Sequence, residues 1–215
     1  MKKGFIFDLD GVLTDTAEFH YEAWSWLAES VGITIDRMFN EELKGVSREE
    51  SLEKILHLGG KEDLNEREKR QLAAQKNTRY VALLENLTPD SLLPGVADFL
   101  QAARNRQIPC VLASASKNAH YILNKLAIDE YFIGIVDPST LSKGKPHPEI
   151  FLKAVELLGL APEETIGFED AIAGIAGLKA AGIYAVGIIS NEKLPRADLC
   201  VPSFSKLDID ELLKK

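Results

Sequence analysis

FDLDGVLTDT, residues 7–16, closes an apolar run that begins at Gly4 (GFIFDL, 4–9). Asp8, Asp10 and Asp15 fall within these ten residues. A buried strand gains nothing from ionised carboxylates, so these acids either shape a turn or do chemistry. Asp-Gly is a common turn pair, and that reading suffices for Asp10-Gly11 taken alone. Asp8 and Asp10 are also two apart in an extended segment, so both can face one side. One can then act as a nucleophile and the other as a general acid/base beside it. A carboxylate that attacks phosphorus forms an aspartyl phosphate and splits one hard step into two.

Further along, strand-length apolar runs recur at PCVLAS (109–114), FIGIVD (132–137), TIGFED (165–170) and IYAVGI (183–188), with LCVP (199–202) a candidate sixth. Helical patterns separate them at about 95–106, 117–126, 147–158 and 170–181. This alternation predicts an α/β fold, a Rossmann-like parallel-sheet core. Residues 16–87 break it. EFHYEAWSWLAESVG reads as an amphipathic helix with Phe19, Ala23, Trp26 and Leu27 on one side. SREESLEKILHLGG opens on Ser47 and Glu50, a capping pair, and a third, charged helix fits 63–86. The expected domains are a core of 1–15 with 88–215 and an inserted α-helical cap of 16–87. The crossings near 15 and 88 suit hinges for a helical lid. Residues 60–70 and the tail 205–215 read as solvated helix surface.

Composition narrows the partners. The chain has 215 residues, 46% of them hydrophobic, and a formal net charge of −8. That charge argues against nucleic acid or a membrane surface as partner. No apolar run nears the ~20 residues of a membrane span, and the first run, broken by Asp8, is no signal peptide. A cytoplasmic location is the default, and nothing demands more than a monomer. Cys110 and Cys200 lack metal spacing and read as buried thiols.

Ligands of an open parallel sheet bind beyond the carboxyl ends of its strands. Four polar clusters meet there: Asp8-Leu9-Asp10-Gly11, Ser114-Ala115-Ser116-Lys117-Asn118, Lys143-Gly144-Lys145-Pro146 and Glu169-Asp170. Each has a plainer reading. Ser116 and Asp170 can cap helices, and Lys145 can be a solvated loop lysine. Their convergence favours chemistry. Ser114 and Lys145 suit a transferring phosphate, as donor and as charge, with backbone N–H groups near Ala115 and the next helix start. Acids gathered near a phosphate need a cation, and Mg²⁺ takes carboxylate, phosphate and water oxygens. Asp8 and Asp170 are its expected carboxylate ligands, with the backbone carbonyl of Asp10 a third oxygen.

These clusters, in this order, resemble the haloacid dehalogenase superfamily of phosphoryl-transfer enzymes, over most of the chain. FDLDGVLTDTAEFH, LKGVSREESL, LASASKN and GFEDAIAGI narrow the resemblance to its hexose-phosphate mutases. The resemblance implies that Asp8 is the phosphorylated nucleophile and Asp10 the general acid/base. It implies Mg²⁺ held by Asp8, Asp10 and Asp170 with Glu169 beside it, and a phosphate cradle of Ser114, Ala115 and Lys145. Thr16 matches a hinge, and His20 and Lys76 match positions near the domain interface. A mutase must also grip a second, non-reacting phosphate. Arg48 suits that task, with Ser116, Lys117 and Asn118, and more weakly Lys44, Gly45 and Ser47. The plainer reading of Arg48 is an exposed helix residue paired with Glu49. The substrate implied is a small sugar phosphate: β-D-glucose 1-phosphate converted to D-glucose 6-phosphate through the 1,6-bisphosphate. A sugar-phosphate phosphatase of the same superfamily and a non-catalytic phospho-aspartate switch are the rival readings.

Overall fold

The computed structural model describes residues 1–43, 46–189 and 194–215. The chain divides into two compact units, 1–15 with 87–215, and 16–86.

The larger unit is the expected parallel α/β core. Its six strands are β1 (Gly4–Phe7), β2 (Cys110–Leu112), β3 (Gly134–Ile135), β4 (Thr165–Glu169), β5 (Tyr184–Ile188) and β6 (Leu199–Val201), all parallel, in the order β3-β2-β1-β4-β5-β6. LCVP thus supplies a sixth strand. β1 is buried along its whole length, as a central parallel strand must be. Alternation sorts its side chains. Phe5 and Phe7 join Phe168, Phe204 and Phe99 of α5 (Val96–Asn105), with Phe7 and Phe168 stacked at 4.8 Å. Ile6 faces the other layer, among Phe151 of α7 (Glu149–Leu158) and Ile175 and Leu178 of α8 (Ile172–Ala180).

Strand β1 is shorter than its apolar run. It ends at Phe7, and Asp8 to Thr14 form a turn in which the Gly11 N–H donates to the Thr14 carbonyl at 2.8 Å. Asp8 and Asp10 therefore do not lie on one extended strand. Regular strand pairing gives way there to an isolated bridge between Asp10 and Thr14 of the same turn. The tail also departs from expectation: Ile209 and Leu212 are buried. Asp208 caps a final short helix over Ile209–Leu213 that sets those two apolar side chains inward.

The smaller unit is all helical: α1 (Ala17–Ser30), α2 (Arg37–Glu41), α3 (Arg48–Leu58) and α4 (Glu66–Leu84) among the described residues. Trp24, Leu27 and Ala28 of α1 pack with Ile33, Leu52, Ile55 and Leu56. Trp26, expected inside, is 42% exposed; the buried stripe runs through 23, 24, 27 and 28, two i, i+4 rows, and the helical period turns Trp26 to the opposite side. Ser47 and Glu50 form the expected reciprocal cap. Helix α4 is mostly polar and buries Lys76, Tyr80 and Leu84, one stripe at spacing four. Among the described residues no helix is long and apolar enough to cross a membrane.

Candidate active site

β1 leads by way of the helical unit to β2 on one side, and β4 leads to β5 on the other. Adjacent strands whose connections leave in opposite directions open a crevice at their carboxyl ends. Phe7 is in register with Phe168 and with Leu112, so the residues just beyond each strand end become neighbours. Asp8 follows Phe7, and its N–H donates to the Phe168 carbonyl at 3.0 Å. Glu169 and Asp170 follow Phe168. Ser114 lies two beyond Leu112, past Ala113, whose N–H donates to the Phe7 carbonyl at 2.7 Å.

Lys145 reaches this point from the loop before α7. Its ammonium donates to Asp8 Oδ1 at 2.8 Å and to Glu169 Oε1, and its side chain is 2% exposed. Glu169 Oε2 accepts the N–H groups of Asp170 and Ala171 at 3.1 and 3.2 Å. The cap position of α8 is Ala171, so Asp170 does not cap this helix. The Asp170 carboxylate stands against Gly11 instead, where a Cβ would lie 2.0 Å from Oδ2. A positive φ of 75° at Gly11 makes a side chain costly there in any case. Gly174 does the same for Glu169: a Cβ would lie 1.9 Å from its carboxylate. These two clearances were not read from the sequence. The only local signal is a glycine just after the DLD acids and another on the first turn after Glu169-Asp170.

The electrostatics are unbalanced. One ammonium faces three carboxylates, Asp8, Glu169 and Asp170, each with an oxygen within 4.8 Å of the others. Burial lowers the Lys145 pKa, but the charges of Asp8 and Glu169 outweigh it and hold the ammonium above its usual range. Burial raises Glu169, against the pull of Lys145. Asp170 is raised by burial and by the charges of Glu169 and Asp8. Converging hard oxygens with excess negative charge fit a hard divalent cation.

A test follows. Asp170 in the folded chain keeps its proton up to about pH 8, whereas in the unfolded chain it ionises near pH ~4. Stability is therefore lost as pH rises through that window. In chelator at pH 8, Asp170→Asn is expected to raise the Tm of the core, and added Mg²⁺ to raise the Tm of the parent but not the variant. Differential scanning calorimetry reads both; a variant that melts lower in chelator and still responds to Mg²⁺ would remove Asp170 from the cation site.

The remaining candidates fall in two groups. In the core, Ser114 is buried and its Oγ accepts the Ser116 N–H at 3.1 Å. Ser116 is not the helix cap. Asn118 holds that position before α6 (Ala119–Lys125), and the Ser116 Oγ accepts its N–H at 3.3 Å. Ala115 and Asn118 are half-buried and Lys117 is exposed. In the helical unit, the buried Lys76 lies 2.9 Å from His20 Nδ1 and over the rings of Trp24 and Tyr80. Burial and the charges of Lys76 and Arg48 hold His20 well below its usual pKa, so its neutral Nδ1 accepts and Nε2 carries the proton. Tyr80 donates to Thr16 Oγ1 at 3.1 Å. Ser47 is engaged by Glu50 in the cap of α3. Arg48 is half-buried, and burial lowers its pKa against the opposing charge of Glu49. Lys44 and Gly45 lie outside the described residues.

The chain belongs to the haloacid dehalogenase-like hydrolase family, whose model matches residues 2–182, and it is an enzyme of that superfamily. It is 49% identical to β-phosphoglucomutase of Bacillus subtilis over 211 residues, 98% of this chain and 93% of that protein. The crystal structure of β-phosphoglucomutase from Clostridium difficile superposes with a TM-score of 0.96 at 45% identity, covering 100% of this chain and 96% of that one. A phosphorylated carbohydrates phosphatase of Thermotoga maritima is 31% identical over 183 residues, 84% of this chain and 82% of that protein.

Proposed function

We propose that this chain interconverts β-D-glucose 1-phosphate and D-glucose 6-phosphate through phospho-Asp8 and β-glucose 1,6-bisphosphate. The observation that carries the reading is the Asp8–Lys145–Glu169–Asp170 cluster in a chain that matches a β-phosphoglucomutase along nearly its whole length. Phospho-Asp8 passes its phosphoryl group to O6 of the substrate. The bond from phosphorus to the Asp8 oxygen breaks, the bond to O6 forms, and Asp10 takes the hydroxyl proton. The bisphosphate then turns round. Asp8 attacks the phosphorus at C1, the bond to O1 breaks, Asp10 returns the proton to O1, and glucose 6-phosphate leaves. Lys145 holds Asp8 Oδ1, which leaves Oδ2 to attack. Ser114 and the Ala115 backbone donate to the phosphoryl oxygens, whose developing charge Lys145 offsets. Asp8, Asp170 and the Asp10 carbonyl would hold Mg²⁺ with Glu169 beside them. The ion supplies positive charge against the acids and the phosphoryl oxygens.

Arg48 takes the phosphate that is not reacting. Its test separates grip from chemistry. Arg48→Ala is expected to raise KM for β-glucose 1-phosphate about tenfold or more, the worth of a charge-assisted hydrogen bond. Phosphorylation of Asp8 by acetyl phosphate is expected to stay within about twofold. Equal losses in both would return Arg48 to a structural role. We read the chain as a monomeric cytoplasmic enzyme whose only partner is a small sugar phosphate.

The whole reading is tested with β-glucose 1-phosphate, Mg²⁺ and a trace of bisphosphate, following glucose 6-phosphate and free phosphate together. Glucose 6-phosphate without matching phosphate release is the expected result. Phosphate release without it would make the chain a sugar-phosphate phosphatase, in which water attacks phospho-Asp8.

A further inference from the structure

Lys145 is a buried residue in a loop that is not buried. Ser142, Lys143, Gly144, Pro146 and His147 are exposed, while Lys145 keeps 6% of its surface. Exposed loops are ordinarily the more mobile parts of a fold. This one must nonetheless present one ammonium to both Asp8 and Glu169. A lysine stem is long and flexible, so the aim of the charge depends on what fixes the backbone it leaves from.

Helix α7 fixes it. Glu149, its first residue, turns back on the loop: Oε1 accepts the Ser142 N–H at 3.0 Å, and Oε2 accepts the Ser142 hydroxyl at 2.8 Å and the Lys143 N–H at 3.0 Å. Two residues on, the Phe151 ring lies 5.1 Å from the Lys145 ammonium. One turn on from Glu149, Lys153 donates to the Thr140 carbonyl and hydroxyl at 2.8 and 2.9 Å, upstream of the segment that Glu149 holds. The backbone and hydroxyl donors of Ser142 hold the Glu149 carboxyl below its ordinary range, and a first-turn position favours the ionised form.

We infer that Glu149 is a positioning residue for phosphoryl transfer: its carboxylate clamps Ser142 and Lys143 to α7 and thereby sets the aim of Lys145. Glu149 acts through Lys145 and touches none of the reacting groups. The inference deepens the function proposed above and rests on it for its catalytic consequence. Small errors of aim are costly in such sites, where a displacement of ~1 Å can lose ~100-fold in rate.

Glu149→Gln keeps the size and removes the charge and one acceptor oxygen. Formation of phospho-Asp8 from acetyl phosphate, read by intact mass, is expected to slow about tenfold. In a Lys145→Met background the same substitution is expected to change the rate by less than about twofold, because nothing is left to aim. Equal loss in both backgrounds overturns the inference. Lys153→Met frees Thr140 instead; it is expected to lower the Tm comparably and leave the rate within about twofold. A second readout does not depend on catalysis. The ammonium ¹⁵N resonance of Lys145, sheltered by burial, is expected to shift or broaden in Glu149→Gln and not in Lys153→Met. An unchanged resonance overturns the inference whatever the chain catalyses. A changed resonance in a chain that never phosphorylates Asp8 keeps the positioning role and overturns the phosphoryl-transfer reading instead.

Discussion

Asp8→Asn is expected to reduce phosphoryl transfer at least ~10⁴-fold, to the level of a site that has lost its nucleophile. The amide matches the carboxylate in shape and cannot form the acyl phosphate. The fold is expected to survive, because Asp8 is anchored by its backbone: its N–H donates to the Phe168 carbonyl at 3.0 Å, and Phe7 before it is buried in the aromatic layer. Intact mass after incubation with acetyl phosphate reads the outcome directly. The parent is expected to gain one phosphoryl group and the variant none. A variant that still gains it, or turns over within about tenfold of the parent, places the nucleophile elsewhere.

Lys145→Met is expected to fail in two ways at once. The methionine keeps an apolar stem against Phe151 and loses the charge that bonds Asp8 and Glu169. Breaking a buried ion pair from one side costs about 3–5 kcal/mol, on the order of 10 °C in Tm for a chain of this size. The loss is expected to deepen with pH. Without the ammonium, Glu169 is raised further above its unfolded pKa, so the unfolded state gives up its proton first and stability falls as pH rises. Melting in chelator is expected to differ from the parent more at pH 8 than at pH 5. Transfer is expected to fall about 10²–10³-fold, as when a preorganised donor to a developing oxyanion is removed. An unchanged Tm at pH 8 with turnover within a few fold would show that Lys145 neither balances the acids nor meets the phosphoryl group.

The sequence carried the chemistry better than its setting. Apolar runs of strand length, separated by helical patterns, are enough to predict a parallel sheet, because strands buried on both faces must be apolar throughout. Polar residues at the ends of such runs then mark the site before any distance is known. The capping pair of Ser47 and Glu50 was equally legible, since its hydrogen bonds close within one turn. The inward face of α1 was not legible, and Trp26 was expected there in place of Trp24. Trp24 and Trp26 are both apolar, and only the packing of Ile33, Leu52 and Ile55 decides that Trp24 goes inside.

Residue type and order alone determined the parallel α/β class, the helical insert, the strand-end acids and a lysine, Lys145, in the loop after the third strand. These are properties of local pattern, and each is written in contiguous residues. Tertiary structure alone decided how the acids are held. Gly11 yields space to Asp170, Gly174 yields space to Glu169, and Glu149 grips the loop that carries Lys145. Lys145 meets an aspartate 137 residues away in the chain. Such contacts depend on which strand ends become neighbours and how closely helices approach them, and that is fixed by register and packing across the sheet rather than by any one segment.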